Sequence, residues 1–197
     1  MANQPRKREL LAERRERRAA IDDPAVVLEA AARFLEVRSR SVAEVRRRLL
    51  GAGYRADLVA GAIDRLTELG MLDDEAFSRA WVESRDRARP RGERAIREEL
   101  RLKGVDRAVI DAVLEERRDR AVEHPTEPDL AVPSPDRIAA ERLVARHARG
   151  LGRVADPRQR RQRVYALLAR NGFDPEVCRD VAAMVDTDNG DDALAVD

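Results

Sequence analysis

The sequence predicts an all-α protein made of three tandem three-helix repeats, helix-turn-helix-like in form and elongated as a chain. Three observations carry this. Leu, Ala, Arg and Glu dominate and β-branched runs are missing, which favours helix over strand. Three segments align without gaps: VRRRLLGAGYRADLVAGAI (45–63), IREELRLKGVDRAVIDAVL (96–114) and VYALLARNGFDPEVCRDVA (164–182). In each of them apolar residues recur at spacings of three and four on both sides of a glycine, the period of a buried helical face.

The shared positions define the unit. An aliphatic residue lies eight before the glycine (Val45, Ile96, Val164) and a leucine four before it (Leu49, Leu100, Leu168). Tyr54, Val105 or Phe173 follows the glycine directly. Val59, Ile110 and Cys178 then match, as do Ala62, Val113 and Val181. Gly53, Gly104 and Gly172 fall where a helix ends in a left-handed residue, a conformation glycine adopts without a steric cost. Each segment therefore reads as helix, tight turn, helix.

A further amphipathic helix precedes each pair, over 24–38, 74–88 and 135–149. Asp23 before Pro24, Asp73, and Ser134 before Pro135 are N-cap candidates for these helices. Ser41 with Glu44, and Asp156-Pro157 with Gln159, start second helices, and Asp106 and Asp174 can cap third ones. The division that follows is a basic N-terminal arm at 1–22, repeats at 23–70, 71–122 and 135–186, a proline-rich spacer at 123–134 and an acidic tail at 187–197. The arm and tail are expected to be disordered, the spacer extended and semi-rigid. A module of about 45 residues buries little surface alone, so neighbouring repeats should support one another.

Charge is balanced, 39 basic against 38 acidic groups, so no global field points to nucleic acid or membrane. Nearly all the positive charge is guanidinium, since Lys7 and Lys103 are the two lysines, and guanidinium suits bidentate pairing with carboxylate or phosphate. A single cysteine excludes an internal disulfide framework and points to a reducing, cytoplasmic setting. No stretch of about 18 apolar residues is present that would span a membrane. Six scattered aromatic residues do not make a base-stacking platform.

The densest local signal is RARPRGERAIREELRLKG (87–104), with seven basic and three acidic side chains. From Glu93 it reads as a helix whose buried face is Ile96 and Leu100, with Glu93–Arg97 and Arg94–Glu98 able to pair at i,i+4. Arg85, Arg87, Arg89 and Arg91 run up to and around Pro90, where no helical pattern is available to pair them. The arm is a second concentration, with seven basic and three acidic groups at 6–18. A helix-turn-helix reading, with the last helix of a repeat in a DNA groove, conflicts with charge. Helix 57–69 carries Asp57, Asp64 and Glu68 against Arg65, and 175–186 carries Glu176, Asp180 and Asp186 against Arg179, so phosphates would repel both.

Catalytic chemistry finds no constellation. His124 and His147 lie far apart in the chain, Cys178 occupies an apolar repeat position, and neither a P-loop nor a paired-cysteine metal motif occurs. The tail run DTDNGDD resembles half of a calcium loop, but Gly190 comes one place early and a disordered acidic tail is the better account of it. No cofactor, metal or small-molecule substrate is expected.

Through RDRARPRGERAIREELRLKGV (from Arg85), GMLDDEAFSRAW (70–81), RSRSVAEVRRRLLGAGY (38–54) and LLARNGF (167–173), the sequence resembles the RecX family of recombination regulators. The resemblance covers roughly residues 24–185. It implies a fold of three three-helix repeats and a non-enzymatic modulator of the RecA recombinase. Such a protein lies in the groove of the RecA filament on DNA and lowers its ATPase and strand-exchange activities. Carried over residue by residue, it implies a partner-binding surface at Arg85, Arg89, Arg91, Arg94, Arg97, Arg101 and Lys103, with Arg46 and Arg47 as lesser candidates. Gly92 and Gly104 are assigned to backbone geometry. The spacer lengthens the usual join to the third repeat, and arm and tail fall outside the shared core. The alternative is a direct DNA-binding protein that sets the same arginines of its second helices on phosphate.

Overall fold

The computed structural model describes residues 4–122 and 133–185. Expectations for residues 123–132 of the spacer and for the tail lie outside the described residues. Among these there are ten helices and no strand. Helix α1 (Gln4–Ala19) precedes a first repeat of α2 (Pro24–Glu36), α3 (Val42–Ala52) and α4 (Ala56–Glu68). The second repeat is α5 (Asp74–Ala88), α6 (Glu93–Lys103) and α7 (Arg107–Val122), and the third is α8 (Pro135–Leu151), α9 (Pro157–Arg170) and α10 (Pro175–Met184). The chain forms two compact units, one of residues up to 77 together with 102–106, the other of 78–101 together with everything from 107 on.

The helices begin where the sequence places their caps. Asp23, Ser134, Asp156 and Asp174 each accept a hydrogen bond from a backbone N–H of the first turn, and Pro24, Pro135, Pro157 and Pro175 follow them directly. Ser41 and Glu44 close a full capping box. Helix α4 has no side-chain cap, since Arg55 stands at that position and pairs with Asp57 and Asp22 instead.

All three repeat glycines are left-handed, with φ of 103°, 81° and 79° at Gly53, Gly104 and Gly172. The N–H groups of Tyr54 and Phe173 reach back to the carbonyls of Leu49 and Leu168, each over 3.3 Å, which satisfies the free ends of α3 and α9. These glycines also lack a side chain for a second reason. A Cβ on Gly104 would stand 2.5 Å from the Ala43 Cβ, and one on Gly172 would strike Ala95.

The repeat positions are the core. Val45, Ile96 and Val164 are fully buried, as are Leu49, Leu100 and Leu168, Val59, Ile110 and Cys178, and Ala62, Val113 and Val181. Each large aliphatic side chain there contributes about 1.5–3 kcal/mol over exposure. Val105 and Phe173 are buried after their glycines, whereas Tyr54 is only half-buried. Helix α1 supplies part of its cover, with the Arg18 guanidinium 5.5 Å from the Tyr54 ring centroid.

That helix corrects the expectation of a disordered arm. Leu, Ala, Arg and Glu are strong helix formers, and the helix they make has a landing place. The bare face of Gly53 lies against the Arg15 backbone, where a Cβ would come within 2.8 Å, and Arg18 Nη1 donates to the Ala52 carbonyl at 3.3 Å. Residues 78–101 and 107–122 of the second repeat share one unit with the third repeat. Gly92 N–H donates to Asn171 O at 3.0 Å, and a Cβ on Gly92 would collide with the Gly172 carbonyl. Gly92 thus serves backbone geometry, as read from the sequence.

Candidate partner-binding surface

In the second unit, Glu99 on α6 organises the basic stretch. Its Oε2 accepts from Trp81 Nε1 at 2.7 Å and from Arg85 Nε at 2.6 Å, and Arg91 Nε lies 3.8 Å from Oε1. Arg85 also stacks on Trp81, 4.2 Å from the ring centroid, and its side chain is 18% exposed. Arg85 is therefore an internal strut and not a free contact, contrary to the sequence reading. Helix α5 runs to Ala88, so Arg85 and Arg87 lie on a helix and find acids: Glu99 for Arg85, Glu83 at 3.9 Å for Arg87. Arg91 is turned inward as well, donating to Asn171 Oδ1 at 2.8 Å.

On α6 itself, Arg97 pairs with Glu93 at 3.2 Å, as the i,i+4 spacing predicts, and also with Asp111. Hydrogen bonding to Asp111, outweighing partial burial, holds the Arg97 pKa above its ordinary value. Glu98 pairs with Arg101 at 2.7 Å and not with Arg94. This pair is exposed and worth little, so Arg101 can exchange its partner. Arg89 and Arg94 are exposed, and their side chains have no ion pair or hydrogen bond among the described residues.

In the first unit, Lys103 is engaged with Glu44 at 3.2 Å, both side chains 16% exposed. Burial raises the Glu44 pKa, but bonds from the Ser41 N–H and Lys103, with the charge of Arg38, outweigh it and leave the carboxyl below its ordinary value. Arg47 donates to the Leu102 and Lys103 carbonyls at 3.4 and 3.3 Å, at the negative end of α6. Arg46 is exposed with no ion pair among the described residues, and its charge reaches Asp74 at longer range. Of the nine candidates, Arg46, Arg89 and Arg94 keep their full donor set outward.

Sequence reading missed Arg117. Its side chain is 5% exposed between Asp86 (2.8 Å) and Asp136 (2.6 Å). Burial works against its charge, yet the bonds to Asp86 and Asp136 prevail and raise its pKa. Asp136 also accepts the Glu93 N–H at 3.0 Å, and Arg146 donates to the Ala88 and Arg87 carbonyls. These contacts join α8 to the second repeat. No local pattern marks them, because the partners lie 19 to 59 residues apart.

Among the described residues no cluster of three or more His, Cys, Asp or Glu could hold a metal ion, and no helix is long and apolar enough to cross a membrane. Cys178 is buried against the Phe173 carbonyl, and burial pushes its thiol pKa up. His124 lies outside the described residues.

Profiles described as the RecX first and second three-helix domains match residues 28–66 and 73–114. Regulatory protein RecX of Mycolicibacterium smegmatis is 37% identical over 155 residues, covering 77% of this chain and 75% of that protein. The chain belongs to the RecX family. The Mycolicibacterium vanbaalenii regulatory protein RecX is similarly close, 36% identical over 155 residues and 76% of each chain. The crystal structure of RecX from Lactobacillus salivarius superposes with a TM-score of 0.67 at 18% identity, covering 84% of this chain and 98% of that one. A second RecX crystal structure gives 0.61 at 21% identity, covering 78% and 68%. The all-helical architecture is thus the RecX architecture, and a regulatory role comes with the family.

Proposed function

We propose that this RecX-family chain binds the RecA recombinase filament on DNA in the cytoplasm and lowers its ATPase and strand-exchange activity by occupancy, without chemistry of its own. The observation that carries the reading is the outward, unpaired state of Arg89 and Arg94 at the start of the second repeat's middle helix. Around them, Arg85, Arg91 and Arg97 are held by Glu99, Asn171, Glu93 and Asp111, which gives the free pair a rigid base. Such a base lowers the ordering cost of binding. Helices α4 and α10 expose Asp64, Glu68, Glu176 and Asp180, so they suit basic protein surface and oppose insertion into a DNA groove.

The test is ATP hydrolysis by the cognate recombinase on single-stranded DNA, with the protein titrated below stoichiometry. Inhibition at well under one copy per recombinase is expected, and Arg89→Glu with Arg94→Glu should weaken it by about tenfold or more, the loss of two charge-assisted contacts. Full-strength inhibition by the double variant would remove these arginines from the contact. No inhibition by the wild-type protein would sink the filament reading.

A further inference from the structure

A second arginine-lined hollow, in the first unit, is not the surface the sequence singled out. It is a cavity of about 800 Å³ between α1 and α3, lined by Arg14, Arg15 and Arg18 from one helix and Arg47 and Arg48 from the other, with Phe34, Glu44, Gly51 and Ala52. Five arginines and one glutamate line it, with Arg18 and Arg47 held in part by backbone carbonyls. That carboxylate, Glu44, is already bound by Lys103 and Arg38 and does not discharge the arginines. Arg14, Arg15 and Arg48 have no ion pair among the described residues, and all are exposed.

We infer that this trough binds the phosphodiester backbone of single-stranded DNA. Three observations support that occupant. First, the arginines are pre-positioned: α1 is docked at Gly53 and Ala52, so its charges sit on a fixed wall. Second, Arg14 and Arg15 on α1 and Arg48 on α3 are exposed on both helices that line the hollow, so their guanidinium forks can take phosphate oxygens of one strand from two sides. Third, the floor is small and uncharged. A Cβ at Gly51 would meet nothing within 4 Å, so a polymer backbone can approach closely there. Phe34 is covered by Arg40 at 4.3 Å and Arg48 at 5.6 Å, so no ring is offered for base stacking and the site reads backbone without regard to sequence.

The site goes beyond the filament reading and does not depend on it. One of its two walls, α1, lies outside the matched family domains, while the α3 wall lies within the match to residues 28–66.

The experiment is fluorescence anisotropy of a labelled oligothymidylate with the full chain, recombinase absent, over a series of salt concentrations. Arg14→Gln with Arg48→Gln should weaken binding about tenfold and lower the salt slope by about 1.4, the value for two lost single-strand phosphate contacts. Arg149→Gln with Arg153→Gln, an equal loss of charge at exposed positions of the other unit, should leave the slope nearly unchanged. Arg14→Lys with Arg48→Lys should restore most of the affinity. Gly51→Trp fills the trough without touching charge and should also weaken binding, while circular dichroism confirms retained helix. Equal affinities for the groove and control variants would overturn the inference. So would a groove variant that loses polyglutamate and keeps the oligonucleotide, which would assign the trough to an acidic protein segment. Equal sensitivity on duplex DNA would overturn the single-strand assignment. Absence of ATPase inhibition by the wild-type protein would count only against the filament reading.

Discussion

The α6 region and the α1–α3 region carry similar densities of arginine and put them to opposite uses. Around α6, Glu99, Glu93, Glu98 and Asp111 engage Arg85, Arg97 and Arg101 in ion pairs. Between α1 and α3, the one lining carboxylate is held by Lys103 and Arg38, and Arg14, Arg15 and Arg48 are exposed without an ion pair among the described residues. Counting basic residues along a sequence therefore does not locate a basic surface. What decides is whether an acid on a neighbouring helix reaches them, which is a property of packing.

Variants can break this contrast. The most anchored arginine, Arg117, should show the largest effect: Arg117→Ala leaves Asp86 and Asp136 facing one another in a half-dry site and should cost about 3 kcal/mol or more. Urea unfolding of the full chain measures this, and a change near zero would mean that water replaces the guanidinium. Arg85→Ala removes a 2.6 Å carboxylate contact and the stacking on Trp81, an expected loss of about 1–2 kcal/mol by the same measurement, with no effect on the salt slope of DNA binding. Arg94→Ala sits at the other pole. Its stability should stay within about 0.5 kcal/mol of wild type while inhibition of the recombinase weakens. A loss of stability there would show that Arg94 is anchored after all.

The smallest expected effect is a pH dependence. Because the folded Glu44 pKa lies below its ordinary 4.5, the ionised carboxylate contributes stability at neutral pH, and that contribution is lost as pH falls below that range. Unfolding midpoints of wild type and Glu44→Gln should therefore differ at pH 7 and converge toward pH 3. A gap independent of pH would assign the effect to packing.

Much of the fold was legible because it is local. A left-handed glycine, a Ser41–Glu44 capping box and an Asp-Pro helix start are each set within four residues, and the buried face follows from helical period. The charge pattern was legible only where pairing is also local, as for Glu93–Arg97. Arg85 was misread because Glu99 lies 14 residues away on another helix, and Arg117 was passed over because its partners are 31 and 19 residues off. The order of α1 was missed for a related reason: its composition favours helix, but what fixes it is the bare face of Gly53, 38 residues further on.

The three turn glycines use one contact three times. Gly53 rests on Arg15 of α1, Gly104 on Ala43 of α3 and Gly172 on Ala95 of α6, in each case on a helix that comes earlier in the chain. Each repeat's turn is thus closed from within the chain: α1 does for the first repeat what α3 and α6 do for the second and third, so a helix that precedes the repeats supplies the contact for which the first repeat has no earlier middle helix.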